Sequence, residues 1–323
     1  MVLPAKQIPT FKKQNAVLDA MSKENKKQWV MWVIITILII VFGVPFGLFF
    51  FSEGERGNIA VIDIHGVITT GDSSSFNEEG TSSSDVVDFI EKATNNPSIE
   101  AIVLDINSPG GSAVASDEIA QALRQTNKTT VSIIHEIGTS GAYWVASATD
   151  MSIASRMSIT GSIGVIGSYL DFSELMDKYG VNYQRLVAGK YKDMGTPYKN
   201  LSDEERTIFQ VKLDKLHSYF IDEIAKNRNI SREKVRALAT GEFFLGQEAL
   251  DKGLIDKVGD KKTVDEYLKE KLNLKEVRYI HYQHERSILD ILARISSEQF
   301  FFIGKGIGTM LASKTYRNQL VSV

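Results

Sequence analysis

"TTVSIIHEIGTSGAYWVASA", Thr129 to Ala148, decides how this chain is read. Its first part is rich in β-branched residues and predicts a strand. A turn follows around Gly138 to Gly141, and the aromatic, alanine-rich remainder reads as a buried helix. Ser140 sits at the joint. It is either a small residue that lets two elements pack or a nucleophile held at the mouth of a helix. If Gly141 opens that helix, its N–H is an unpaired donor at the positive end of the peptide dipoles.

Working outward, strands and helices alternate. "NIAVIDIHGVIT" (Asn58 to Thr69) alternates like a strand, and "VVDFIEKATN" is helical. "IEAIVLDI" (Ile99 to Ile106) reads as a buried strand, "NSPGGS" (Asn107 to Ser112) as a turn, and "AVASDEIAQALRQT" as a helix. This order predicts an α/β fold with a parallel sheet and crossover helices. Such sheets bind ligands beyond the carboxyl ends of their strands. Two of those ends carry unusual turns: Asn107 to Gly111, and Ser140 itself. Paired glycines let backbone N–H groups face a cleft without a Cβ in the way, although "PGG" alone also fits an ordinary tight turn. A hydroxyl facing such a turn has the parts of an oxyanion hole.

Elsewhere, "GDSSSFNEEGTSSSD" (Gly71 to Asp85) reads as an exposed loop. "DMSIASRMSITGSIGVIGSY" (Asp150 to Tyr169) mixes strands and glycine turns. Ser202 and Glu205 form a capping box that opens a long amphipathic helix. "GQEALDKGLIDKVGD" predicts a short helix stopped at Gly253 and then a strand.

The 323 residues are 43% hydrophobic and 24% charged, with no cysteine. That excludes disulfides, thiolate metal sites and a cysteine nucleophile. One segment departs from the average. Trp29 to Phe51 runs 23 residues without a charge, about 34 Å of helix against a hydrocarbon core of roughly 30 Å. It reads as a membrane anchor rather than a core helix or a cleaved signal. Residues 1–28 carry a net charge of +4, and the rest of the chain −7. The positive-inside rule places the N-terminus in the cytoplasm and the body outside, in a single-pass topology at the cytoplasmic membrane. A mildly acidic body argues against nucleic acid as a partner. The expected organisation is a cytoplasmic tail (1–28), the anchor (29–51), an extracytoplasmic domain (52–286) and an apolar, glycine-punctuated tail (287–323).

A nucleophilic serine needs a base. None of the five histidines, His65, His135, His217, His281 and His284, has clear triad context. "LVAGKYKDMGTPY" (Leu186 to Tyr198) offers Lys190 and Lys192 on a glycine-marked turn after an apolar strand; by themselves these read equally well as solvated charge. No metal or organic cofactor is implied, because no His/Asp/Glu cluster has ligand spacing along the chain.

"INSPGGS", "GTSGAYW", "ITGSIGVIG", "AGKYKDMGTP" and "LGQEALDKGLIDKVG" occur in one order between Asn58 and Gly259. In that order they resemble the signal peptide peptidase A family, membrane-anchored serine–lysine proteases. The resemblance implies a Clp protease/crotonase-like core of ββα units. It makes Ser140 the nucleophile and Lys192, directly before Asp193, the general base. It also assigns the oxyanion donors to the N–H groups of Gly111 and Gly141, and the orienting of the lysine to Ser162. Lys190 departs from the catalytic alignment. Ala142 stands where the family usually has a glycine. The implied substrates are cleaved signal peptides or other short hydrophobic peptides, handled by a homo-oligomer in which a second subunit can complete the site. Two other functions remain on this fold: an acyl-CoA enzyme of crotonase type, and a non-catalytic membrane scaffold.

The dyad is chemically demanding. A free lysine has a pKa near 10.4, so a lysine base near neutral pH requires a depression of about three units, roughly 4 kcal/mol. A dry pocket poor in carboxylates supplies it, so the Asp193 side chain is expected to face away from Lys192.

Overall fold

The computed structural model describes residues 27, 29–39, 57–71 and 80–283. It divides into two units, Met1–Arg56 and Gly57–Val323. In the first, residues 29–39 are helical. This helix exposes Trp29, Trp32, Ile34, Ile37 and Ile39. Among the described residues no helix is long and apolar enough to cross a membrane. The rest of the expected anchor, 40–51, and the tail 287–323 lie outside them.

The second unit is a mixed α/β body on a sheet of nine strands among the described residues. β1 (Ile59–Thr69), β3 (Ala101–Gly111) and β4 (Thr129–Thr139) form its centre. They pair in parallel, as their near-continuous apolar runs predict for strands buried on both faces. The order runs β2 (Gly80–Ser82), β1, β3, β4, β5 (Met151–Ala154), β8 (Lys257–Val258). Beyond β5, β4 continues beside β6 (Ile159–Gly161), which pairs antiparallel with β7 (Phe243–Leu245). β9 (Tyr279–His281) lies parallel to the start of β1.

The helices form where caps and periodicity place them. α1 (Ser83–Asn95) is capped by Ser82 and α2 (Ala113–Gln125) by Ser112, each hydroxyl accepting a first-turn N–H. α3 (Gly141–Ser147) is buried along its whole length. α4 (Ser173–Lys178) buries nothing. α5 (Asp203–Arg228) opens on the Ser202/Glu205 capping box and ends at left-handed Asn229; α6 (Arg232–Leu238) follows. α7 (Gly246–Lys252) stops at Gly253, whose φ of 81° suits a residue without a Cβ. α8 (Lys261–Leu272) is capped by Asp260.

Two apolar clusters sandwich the sheet. Ile62, Ile64, Leu104, Ile106 and Ile134 pack with α1, α2 and α3 on one face. On the other, Ile59, Val103, Val131 and Ile133 pack under Val264 and Leu268 of α8. Trp144 of α3 stacks on Phe220 of α5 with ring centroids 4.9 Å apart, which docks the long helix.

Three expectations are corrected. The turn expected over Asn107 to Ser112 is instead the end of β3, which runs on through Gly111 beside β1. The polar loop expected over Gly71 to Asp85 ends earlier: Gly80–Ser82 adds a strand to β1, and α1 starts at Ser83. Residues 72–79 lie outside the described ones. The apolar strand expected before the lysine turn does not form; residues 181–187 join no ladder and are exposed. Without a neighbouring strand, β-propensity has no hydrogen bonds to realise it.

Candidate active site

The ends of β3 and β4 bring both glycine motifs to the same end of the sheet. Ser108 Oγ donates to Gly66 O at 2.6 Å and accepts the Gly110 N–H at 3.0 Å, bracing the end of β3. Thr139 Oγ1 donates to Pro109 O at 3.1 Å and ties that strand end to the end of β4.

Ser140 has φ 52° and ψ −123°. A β-substituted residue seldom adopts such a backbone, at a cost of about 1–3 kcal/mol, and residues held this way cluster at functional sites. Its backbone is held from both sides: its N–H donates to Gly161 O at 2.8 Å, and its carbonyl accepts from Trp144 N at 3.0 Å. Its side chain makes no capping hydrogen bond, and the residue is half-buried, so the hydroxyl is not consumed by the fold.

The glycines pack too closely for any side chain. A Cβ at Gly110 would stand 2.7 Å from Gly141 N and 3.0 Å from Ser140 Cβ. One at Gly141 would meet Ser116 Oγ at 2.3 Å and Gly111 N at 3.3 Å. Ser112 N donates to Ile68 O across the β1 ladder. Alternation along a strand therefore turns the Gly111 N–H to the opposite side, where Gly141 lies. The backbones of Gly111 and Gly141 thus lie close together, next to Ser140. Gly110 and Ser108, within the glycine motif read from the sequence, support this arrangement, and so does Ser116 of α2, which escapes sequence reading. Its signal is the close approach of α2 to Gly141, which no spacing along the chain reveals.

Ser162 follows Gly161, the acceptor of the Ser140 N–H, and itself has φ 50°. Its hydroxyl donates to Gly241 O at 3.2 Å. The lysine turn is separate. Among the described residues no hydrogen bond joins Lys192 to Ser140 or Ser162, and Lys192 is exposed in the segment 164–200, which is irregular apart from α4. Lys190 is engaged: it pairs with Glu204 and lies 5.0 Å from the Tyr191 ring centroid. The Glu204 carboxylate raises the Lys190 pKa, which suits a fixed cation and not a base. Asp193 accepts two bonds from Arg185, at 2.6 and 2.9 Å, and lies 3.7 Å from Lys199. The Arg185 guanidinium holds that carboxyl below its usual range. Among the described residues Asp193 makes no ion pair with Lys192. No histidine is bonded to Ser140 there either; His135 is turned to Asp105.

A family model described as peptidase family S49 matches residues 122–275. A protein of Enterococcus faecium named signal peptide peptidase SppA is 30% identical over 239 residues, covering 72% of this chain and 70% of that one. The chain belongs to peptidase family S49. Among other relatives, Protease 4 of Haemophilus influenzae is 31% identical over 204 residues, covering 62% of this chain and 32% of the longer relative. A chloroplastic serine protease SPPA of Arabidopsis thaliana is 28% identical over 219 residues, covering 66% and 32% respectively. This S49 member is a serine peptidase, a hydrolase whose substrates are peptides. Its mixed α/β body with a parallel sheet is consistent with that family's Clp-like fold.

Proposed function

We propose that this S49 peptidase is a membrane-anchored endopeptidase with a Ser140–Lys192 dyad, degrading cleaved signal peptides or other short hydrophobic peptides. The observation that carries the reading is the positive-φ backbone of Ser140 beside the amides of Gly111 and Gly141. Neutral Lys192 takes the Ser140 proton as Oγ attacks the scissile carbonyl. The two amides receive the oxyanion. Lys192 then protonates the leaving amine and activates the water that releases the acyl group. Ser162 orients the lysine.

The choice of Lys192 over Lys190 is supported by the Glu204 pairing of Lys190 and by the engagement of Asp193 with Arg185. The segment carrying Lys192 exposes Ile166, Leu170, Tyr179 and Leu186. Apolar surface of this kind favours a second copy of the chain as its cover. In the resulting homo-oligomer, Lys192 of one subunit reaches Ser140 of the next, and burial of an amine favours its neutral form. The charge-free run Trp29 to Phe51, helical and exposed over 29–39, supports the anchor. The charge asymmetry supports an N-terminus in the cytoplasm and a catalytic domain, 52–286, outside.

The test is hydrolysis of an apolar peptide by wild type, Ser140→Ala, Lys190→Ala and Lys192→Ala, followed by mixing of the two inactive chains. Activity regained on mixing Ser140→Ala with Lys192→Ala supports a dyad shared between subunits. Loss with Lys190→Ala and retention with Lys192→Ala overturns the assignment of the base.

A further inference from the structure

The sheet face under α8 changes character halfway along. Its amino-terminal half is apolar, with Ile59, Ala101, Val103, Val131 and Ile133 at two-residue steps. The same steps continue into Asp63 and His65 on β1, Asp105 on β3 and His135 on β4, with His281 beside them on β9. Three of the chain's five histidines therefore converge on one face.

Asp63 and Asp105 are direct partners in the β1–β3 ladder. Like charges directly opposite on neighbouring strands repel. Among the described residues neither carboxylate pairs with a lysine or arginine; their partners are histidines. His65 Nε2 lies 3.0 Å from Asp105 Oδ1, and His135 Nε2 lies 3.0 Å from Asp105 Oδ2. His281 Nδ1 is 3.7 Å from Asp63 Oδ1. One ligand atom from each of Asp63, His65 and Asp105 falls within 4.8 Å of the others. Two ligands sharing an ion through bonds of about 2.1 Å stand roughly 3–4 Å apart. Small side-chain rotations bring the three atoms into that range.

We propose that Asp63, His65 and Asp105 bind a divalent transition-metal ion of the zinc type, with His135 and His281 holding the two carboxylates from either side. One imidazole with two carboxylates selects zinc-like ions over magnesium or calcium, which prefer oxygen alone. The ion neutralises the facing aspartates and ties β1 to β3. It lies upstream of Gly111 and Ser140 on the strands that carry them, so it braces the frame and takes no part in the peptide chemistry. Asp63 and His65 stand two residues apart on β1 and Asp105 comes from β3, so the chain shows only an Asp-x-His pair and not the full set.

The experiment uses the full-length chain without a histidine tag, stripped with chelator and dialysed against zinc. Bound metal is counted by elemental analysis, and affinity is measured by calorimetry. About one zinc per chain is expected. Asp105→Asn and His65→Gln are expected to lose it, while His217→Gln on α5 retains it. His135→Ala is expected to weaken binding by about 10–100-fold. Thermal melting in chelator shows whether each variant is folded, and Asp63→Asn replaces any that is not. In zinc, wild type should melt higher than in chelator and Asp105→Asn should not. No binding by wild type, or equal retention by all variants as for an adventitious ion, overturns the proposal.

Discussion

Ser116 and Gly141 are in contact so close that a single methyl group cannot enter: a Cβ at position 141 would lie 2.3 Å from Ser116 Oγ. Ser116 is itself fixed, its hydroxyl donating to Ser112 O at 2.9 Å. Gly141→Ala should therefore lower the melting temperature. Adding Ser116→Ala removes the clashing oxygen and leaves the neighbouring Cβ at 3.3 Å, a distance small shifts can absorb. The double variant should melt above the single Gly141→Ala variant. If it melts no higher, the close approach of these residues is wrong.

Ser140→Ala should leave the fold intact, because the side chain makes no capping hydrogen bond. Peptide hydrolysis should fall by at least about 10⁴-fold. Labelling by a serine-reactive fluorophosphonate should disappear in parallel. Persistent labelling would place the nucleophile elsewhere.

Phe220 is 2% exposed and stacks on Trp144. Phe220→Ala should cost about 3–5 kcal/mol, the range for truncating a buried aromatic. Chemical denaturation measures this directly. A loss under about 1 kcal/mol would mean that α5 does not depend on this stack to dock on α3.

Lys199 bonds Glu205 at 2.6 Å, and Ser202 N–H donates to the same carboxylate at 3.0 Å. Lys199 above all, with Ser202, lowers the Glu205 pKa from 4.5 to about 2. A carboxylate depressed on folding stabilises the native state above its ordinary pKa and loses that contribution as pH falls through the folded value. The melting-temperature advantage of wild type over Glu205→Gln should be full at neutral pH. It should shrink between about pH 4.5 and 2. A pH-independent difference would show that the ion pair is not what holds this cap.

Much of this molecule is legible along the chain. The alternation of strands and helices, the Ser202/Glu205 box and the Gly253 stop all form as periodicity and capping chemistry require. The order of the glycine and serine motifs points to the family. These features are encoded by residues within a few positions of one another, so the chain states them directly. The 181–187 stretch shows the limit. Its composition suggests a strand, but the sheet offers it no edge.

What only the tertiary structure decided depends on register across strands and contact between strand ends. The pairing of β1 with β3 sets Asp63 against Asp105, and the meeting of the β3 and β4 ends brings Gly110 against Gly141. Likewise only the approach of α5 binds Lys190 to Glu204. Local sequence fixes torsions over a few residues. Charges and carbons that meet over tens of residues do so through the packing of the whole sheet, which no short window contains.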